Sequence, residues 1–265
     1  MQDTLIDCAR QAGALLLQHF GKNIDIKQKG NASDIVTAAD LASEQLITDL
    51  IRDRHPDHNL LGEECGLQHR GSEITWVIDP LDGTSNFAAG LPWFGVMIAV
   101  LKQAKPVLAA LYLPISETLY TAELGGGALR NGKQFRMSTE SKLNNTLCSY
   151  GLDACAHSAT LEKQTRLMGL LVQKARNLRL TNSLQDFAYT LEGQFGACVN
   201  QHCKIWDIAS ACLLFPEAGG RFTDLQGRDI HLELDPENYQ RSYAVVGANP
   251  ALHQQVLALA KEVGF

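Results

Sequence analysis

The chain has 265 residues, long enough to bury roughly 70–75% of its unfolded surface with no disulfide or structural metal. Hydrophobic residues make up 45% and charged residues 20%, which excludes a disordered chain. The net charge of −6 argues against nonspecific nucleic-acid binding, so any anion must be held by local donors or through a bound cation.

From the N-terminus, Leu5, Ile6, Ala9, Ala12, Leu16 and Phe20 recur at helical spacing, with Asp3 or Thr4 as cap and Gly21 as stop. A second helix is predicted over 38–54, with Leu41, Leu46, Ile47, Leu50 and Ile51 inward. His55-Pro56 closes it, because a residue before proline avoids the α region. The period then changes. Segments 59–62 and 75–79 read as short buried strands ending in acids, Glu63-Glu64 and Asp79. Strands follow at 95–101, 107–113 and 118–123, and Asn131-Gly132 marks a hairpin between 128–130 and 134–136. The first half is thus two helices and a largely antiparallel sheet. The second half alternates: strands near 146–150, 177–180, 196–199, 221–224 and 243–247, helices near 158–175, 183–192, 206–218 and 251–263. Such alternation predicts an α/β layer with helices on the sheet faces. The division falls near residue 142, giving halves 1–142 and 143–265 of one catalytic unit.

No apolar run reaches the roughly 20 residues that span a membrane. The opening MQDTLIDCAR lacks a basic region followed by an apolar stretch, so no secretory signal is expected. Seven scattered cysteines with no C-x-x-C predict free thiols in a reducing cytoplasm.

Some patterns suggest chemistry without supporting it. Gly127–Lys133 matches G-x-x-x-x-G-K, but Gln134 follows where a P-loop needs Ser or Thr. A hairpin explains the segment better. Cys198, His202 and Cys203 lack a second ligand pair at zinc spacing, so buried thiols are expected. His55, His58 and His69 are expected on solvated loops.

Four acidic clusters remain: Asp34-Ile-Val-Thr-Ala-Ala-Asp40, Gly62-Glu63-Glu64, Asp79-Pro-Leu-Asp82-Gly-Thr-Ser-Asn86-Phe87 and Trp206-Asp207. Taken singly, Asp34 and Asp40 could be a turn and a helix N-cap, Glu63-Glu64 a solvated strand end, and Asp207 a first-turn acid. The third cluster is different. The apolar Trp76-Val77-Ile78 delivers Asp79 from the interior, and Pro80 fixes the bend before Asp82. Two carboxylates and the Leu81 carbonyl on so short a loop can converge on one hard cation, Mg²⁺, Mn²⁺ or Ca²⁺. Gly83 permits close backbone approach, and Gly83-Thr84-Ser85 offers amides at a helix start, where phosphate is favoured.

Together these motifs, with Trp206-Asp-Ile-Ala and Glu217-Ala-Gly-Gly220, resemble the inositol monophosphatase family of lithium-sensitive, Mg²⁺-dependent phosphatases over nearly the whole chain. The resemblance implies a layered α-β-α-β-α fold and a homodimer acting on a small phosphorylated metabolite. It implies that Glu63, Asp79, the Leu81 carbonyl and Thr84 hold a first Mg²⁺. Asp79, Asp82 and Asp207 would hold a second, and Glu64 would order water around a third. Asp40 and Thr84 would activate the attacking water, with Glu64 also in the catalytic set. Gly83, Thr84 and Ser85 would take the phosphate, with Lys29 near it. Mn²⁺ would substitute, Li⁺ would inhibit, and no phosphoenzyme would form.

The second half departs from the family's pattern. Asn182, Ser183 and Leu184 stand where a Gly-Ser/Thr-Ala run is usual, and Asn200 replaces a glutamate that takes sugar hydroxyls. Asn182, Ser183 and Asn200 are therefore the candidate alcohol-binding residues. Asn182 and Leu184 are expected to narrow the pocket, and inositol 1-phosphate to be a weak substrate unless Gln185 or Asp186 replaces the glutamate. Two alternatives remain: an interaction protein that binds the transcription machinery on the same fold, and a bisphosphate nucleotidase, disfavoured by Ser85.

Overall fold

The computed structural model describes residues 1–22, 26–28, 35–153 and 157–265. Lys29 and Asp34, named above, and Cys155, one of the seven cysteines, lie outside the described residues. In chain order the elements begin with α1 (Gln2–His19), the ribbon β1 (Ile26–Gln28) and β2 (Ile35–Thr37), α2 (Ala38–Arg54), β3 (Asn59–Gly62) and β4 (Gly66–Gln68). β5 (Ile74–Asp82), the short α3 (Thr84–Ala88), β6 (Gly95–Lys102), β7 (Lys105–Leu113), β8 (Thr118–Glu123), β9 (Gly127–Arg130) and β10 (Lys133–Gln134) follow. The second half holds β11 (Leu147–Gly151), α4 (Ser158–Lys174), β12 (Asn177–Arg179), α5 (Gln185–Leu191) and β13 (Phe195–Cys203). It ends with α6 (Ile205–Ile208), α7 (Ala211–Glu217), β14 (Arg221–Asp224), β15 (Tyr243–Ala248) and α8 (Pro250–Glu262).

Among the described residues, one sheet has the order β10-β9-β8-β7-β6-β5-β3-β4 and another β12-β11-β13-β15-β14. In the first, only β3 and β5 run parallel. In the second, β11 lies between parallel partners β12 and β13.

Alternation along the strands creates the layers. Trp76, Ile78, Val96, Ile98 and Ala110 face α1 and α2, packing with Leu5, Leu16, Ile47 and Ile51. Their neighbours Val77, Met97, Ala99 and Leu111 face the opposite way, onto Phe187, Trp206, Leu214 and Phe215 of α5, α6 and α7. Tyr243, Val245 and Phe222 of the smaller sheet reach the same middle core. On that sheet's far face, Cys148, Tyr150, Val199 and Val246 pack against Leu167, Leu171, Leu252 and Val256 of α4 and α8. The result is the layered α-β-α-β-α sandwich.

Several local expectations are corrected. Helix α1 starts at Gln2, and Thr4 is buried with its hydroxyl 3.1 Å from His55 Nε2, so neither Asp3 nor Thr4 caps it. Leu41 is 51% exposed, because the inward stripe of α2 runs through Asp40, Ser43, Glu44, Ile47, Thr48 and Ile51. Thr37, not Asp40, is the N-cap of α2. His55 and His58 are half-buried and stacked on Trp76 instead of standing in solvent; His69 is exposed. Segment 206–218 divides into α6 and α7, although Ala209 and Ser210 between them keep helical dihedrals. The hairpin reading of the false P-loop holds: Asn131 and Gly132 take φ of 48° and 76°, the left-handed pair of a type I′ turn. The six described cysteines, 198 and 203 included, are free thiols.

Candidate active site

In a regular strand, residues three apart point to opposite faces. Asp79 and Asp82 escape this rule. Asp79 pairs with Met97 of β6 and Asp82 with Gly95, so three steps along β5 oppose two along β6. The extra residue is a bulge, and Pro80, which has no N–H to offer a ladder, sits in it. The bulge brings both carboxylates to the middle layer. There α6 packs against β5 and presents Asp207 from its first turn. Carboxylate oxygens of Asp79, Asp82 and Asp207 lie within 4.8 Å of one another.

Each carboxylate is held by main chain. The Leu81 N–H donates to Asp79 Oδ1 at 3.1 Å, the Leu184 N–H to Asp82 Oδ1 at 2.5 Å and the Lys204 N–H to Asp207 Oδ2 at 2.7 Å. These bonds do not offset the crowding. Burial raises Asp79 well above the usual carboxylate range, reinforced by Glu63, Asp82 and Asp207. Burial likewise pushes Asp82 up to about 7 against the Leu184 N–H, and Asp207 up to about 8, with Asp82 adding to it. Carboxylates so placed keep protons or take a cation. The donors are all oxygen, which fits a hard divalent ion such as Mg²⁺.

Beside them, Gly83 takes φ +85°. A Cβ there would stand 2.5 Å from the Trp93 carbonyl oxygen, so glycine is required twice over. It opens α3, whose first-turn amides have no intrahelical partner. Thr84 Oγ1 lies 3.0 Å from both Asp40 Oδ1 and the Leu81 carbonyl, its two possible acceptors. Asp40 is fully buried. Its Oδ2 accepts from the Thr37 N–H at 2.8 Å and the Thr37 hydroxyl at 2.5 Å, within a capping box at the start of α2. Burial raises its carboxyl, and the Thr37 and Thr84 hydrogen bonds oppose the rise.

A cavity of about 400 Å³ joins these groups. Its walls include Glu63, Asp79, Leu81, Asp82, Gly83, Thr84, Ser85, Asn182, Ser183, Asn200 and Asp207. Two sequence candidates stand outside the wall: Asp40, which reaches it through Thr84, and Glu64. Leu184 is corrected: its side chain is fully buried in the middle core, against Gly95, and does not narrow the cavity. Gln185 and Asp186 are buried away from the wall, so neither supplies the missing acceptor.

The sequence reading missed four residues. Ser43 donates to the Pro80 carbonyl at 2.8 Å, steadying the bulge. Glu44 accepts from the Glu64 and Cys65 N–H groups at 2.9 and 2.6 Å, fixing the turn after β3. A Cβ on Gly62 would come within 2.3 Å of Glu44 Oε2, which is why the Gly-Glu-Glu run opens on glycine. Asp153 and His202 also line the cavity. The helical stripe through Asp40 was the available signal for Ser43 and Glu44. None marked Asp153 or His202.

A model of the "Inositol monophosphatase family" matches residues 1–264. Nus factor SuhB of Xylella fastidiosa is 34% identical over 261 residues, covering 96% of this chain and 93% of the relative. Inositol monophosphatase 2 of Solanum lycopersicum is 34% identical over 246 residues, covering 87% and 89%. The crystal structure of extragenic suppressor protein suhB from Bartonella henselae superimposes with a TM-score of 0.89 at 27% identity, covering 100% of this chain and 99% of that one. By sequence, fold and the oxygen cluster at its centre, the chain belongs to the inositol monophosphatase family and is a phosphoric monoester hydrolase of that metal-dependent group.

Proposed function

We propose that Glu63, Asp79, the Leu81 carbonyl, Asp82, Thr84 and Asp207 hold two to three Mg²⁺ ions at this site, with Glu64 ordering water at the outermost, and that a small phosphate monoester is hydrolysed there by direct attack of water. The observation that carries this reading is the meeting of three aspartates, from a bulged strand and a separate helix, beside a glycine-opened turn. Bound Mg²⁺ supplies charge neutralisation and a lowered pKa for water. The chain's own groups do the rest. The Thr84 hydroxyl, 3.0 Å from Asp40 Oδ1, would donate to Asp40 and leave its oxygen to accept from the attacking water. The proton passes to Asp40, whose burial raises its affinity for it. Gly83, Thr84 and Ser85 amides orient the phosphate, and Asn182, Ser183 and Asn200 border the alcohol.

The resemblance supports further parts of the same reading: Mn²⁺ substitutes, Li⁺ inhibits at the second site, the protein is a homodimer, and it acts in the cytoplasm, as its free thiols suit. No helix among the described residues is long and apolar enough to cross a membrane. The name Nus factor, borne by the Xylella relative, keeps a binding role in view as a second reading. The intact carboxylate set favours hydrolysis. A phosphate-release screen over phosphomonoesters, with Mg²⁺ and with chelator, tests it: turnover that needs Mg²⁺ is expected, and full turnover by metal-free protein overturns it.

A further inference from the structure

The cavity has a second acidic end. β12, β11 and β13 run parallel there, and the region beyond the carboxyl ends of such strands is where an open α/β sheet leaves a crevice. Gly151, the last residue of β11, pairs with Asn200 of β13. A Cβ on Gly151 would meet Asn200 Cγ at 2.7 Å and Asn182 Oδ1 at 3.0 Å, so the three elements converge closely. Asp153 follows two residues later. Asn182 clamps it: its Oδ1 accepts from the Leu152 N–H at 3.1 Å, and its Nδ2 donates to Asp153 Oδ1 at 2.6 Å. Asn182 holds the left-handed conformation, φ 53°, that this clamp requires. The carboxylate of Asp153 is thereby fixed on the cavity wall, near enough to help raise Asp82 and Asp207, with acceptor capacity to spare.

Of its neighbours on the wall, Asn182 is uncharged and His202 is turned to Gln164, its Nε2 2.9 Å from Gln164 Nε2. Asn200 is uncharged, and its Oδ1 already accepts from the His202 N–H at 3.1 Å. Among the described residues no lysine or arginine lines the cavity. An alcohol carrying a carboxylate or a second phosphate would face Asp153 with no lysine or arginine beside it, whereas hydroxyl or ammonium groups would donate to it.

We propose that Asp153, oriented by Asn182, selects the leaving alcohol, favouring esters whose alcohol carries hydroxyl or ammonium donors and discriminating against anionic ones. The proposal rests on the phosphatase reading above. The test compares kcat/KM of the Mg²⁺-loaded wild type and Asp153→Asn on glycerol 2-phosphate, phosphoethanolamine, phosphoglycolate and p-nitrophenyl phosphate. The wild type should favour glycerol 2-phosphate or phosphoethanolamine over phosphoglycolate by at least about tenfold. Asp153→Asn should lower the ratio of the favoured ester to p-nitrophenyl phosphate about 10- to 100-fold, the range of a lost charge-assisted hydrogen bond. It should also raise phosphoglycolate relative to p-nitrophenyl phosphate. The ester that falls further tells hydroxyl from ammonium recognition. Equal losses on all four esters, unchanged ratios, or a wild type that prefers phosphoglycolate overturn the proposal alone. A wild type inert to all four overturns the phosphatase reading and this proposal with it. Asn182→Gly, which keeps the left-handed backbone and removes the clamp, should shift the same ratios in the same direction by less.

Discussion

The two ends of the cavity are built by different means. At the end with the three aspartates, the oxygens come from strand and helix termini locked by main-chain hydrogen bonds: Asp79 and Asp82 on the bulge of β5, Asp207 at the start of α6. At the other end, the polar groups sit on loops and strand ends, and beside main-chain bonds from the Leu152 and His202 N–H groups they hold one another through side chains, as Asn182 holds Asp153. A site whose geometry is fixed by backbone tolerates little change in its chemistry. A site fixed by side chains can be altered one residue at a time.

This contrast can be broken most forcefully at Asp82. Asp82→Asn keeps size and removes ligand charge, and turnover should fall by about 10³-fold or more at saturating Mg²⁺. Near-normal turnover in a steady-state assay would remove Asp82 from the metal set. Thr84→Val keeps shape and severs the link to Asp40. A loss of about 10²- to 10⁴-fold in kcat, with KM little affected, is the expected result. Glu44→Gln lies one shell behind the Glu63 turn, and losing its charge should raise the Mg²⁺ concentration for half-maximal activity about 10- to 100-fold. A Mg²⁺ titration of activity reads it directly.

The smallest effect on turnover is expected at Asp186, behind the alcohol end, where the readout is stability. Burial pushes this carboxyl up to about 6, with the Thr181 hydroxyl opposing the rise. The folded state therefore binds its proton more tightly than the unfolded chain does. That contribution is complete below pH 3.8, the ordinary value, and is lost as pH rises through about 6. Relative to wild type, Asp186→Asn should gain up to about 3 kcal/mol between pH 4 and pH 7. Urea unfolding across that range measures it, and parallel stability curves for the two proteins would contradict the buried-acid account.

Much of the molecule was legible because local chemistry and tertiary position agree. The run of β6 to β8 reads as strands from apolar segments and turn residues, and Asn131-Gly132 specifies its own turn. The cluster from Asp79 to Phe87 announces itself because an apolar strand ending in two acids has few structural uses. Legibility failed where polar residues occupy buried positions. Leu41 reads as part of the inner face of α2 with Leu46, Ile47, Leu50 and Ile51, which do pack on the core, yet it is exposed and the inward stripe carries Asp40, Ser43 and Glu44, since that face meets the site as well as the core. Leu184 misled in the opposite sense: a large side chain in the substrate loop looked like a pocket wall but turns into the middle core. The ribbon β1–β2 and the short β4 carry too few residues to display a period. Asp153 stands in no motif, and only the pairing of β11 with β13 brings it to the cavity.

The loop from Thr181 to Leu184 is fastened to α3 and the end of β5 through its own peptide groups. The Asn86 side-chain amide donates to the Thr181 carbonyl at 2.9 Å, and the Leu184 N–H donates to Asp82. Every residue type except proline has the N–H used at 184, and every type has the carbonyl used at 181. The side chains at 182 and 183 take no part in these two moorings, although the left-handed φ of 53° at 182 restricts that position to residues such as Asn, Asp and Gly. Such an attachment separates inheritance of the catalyst from diversification of what it acts on. On the proposed reading, substitutions at these two positions would alter what the cavity wall offers an alcohol while Asp82 and Asp207 stay in place.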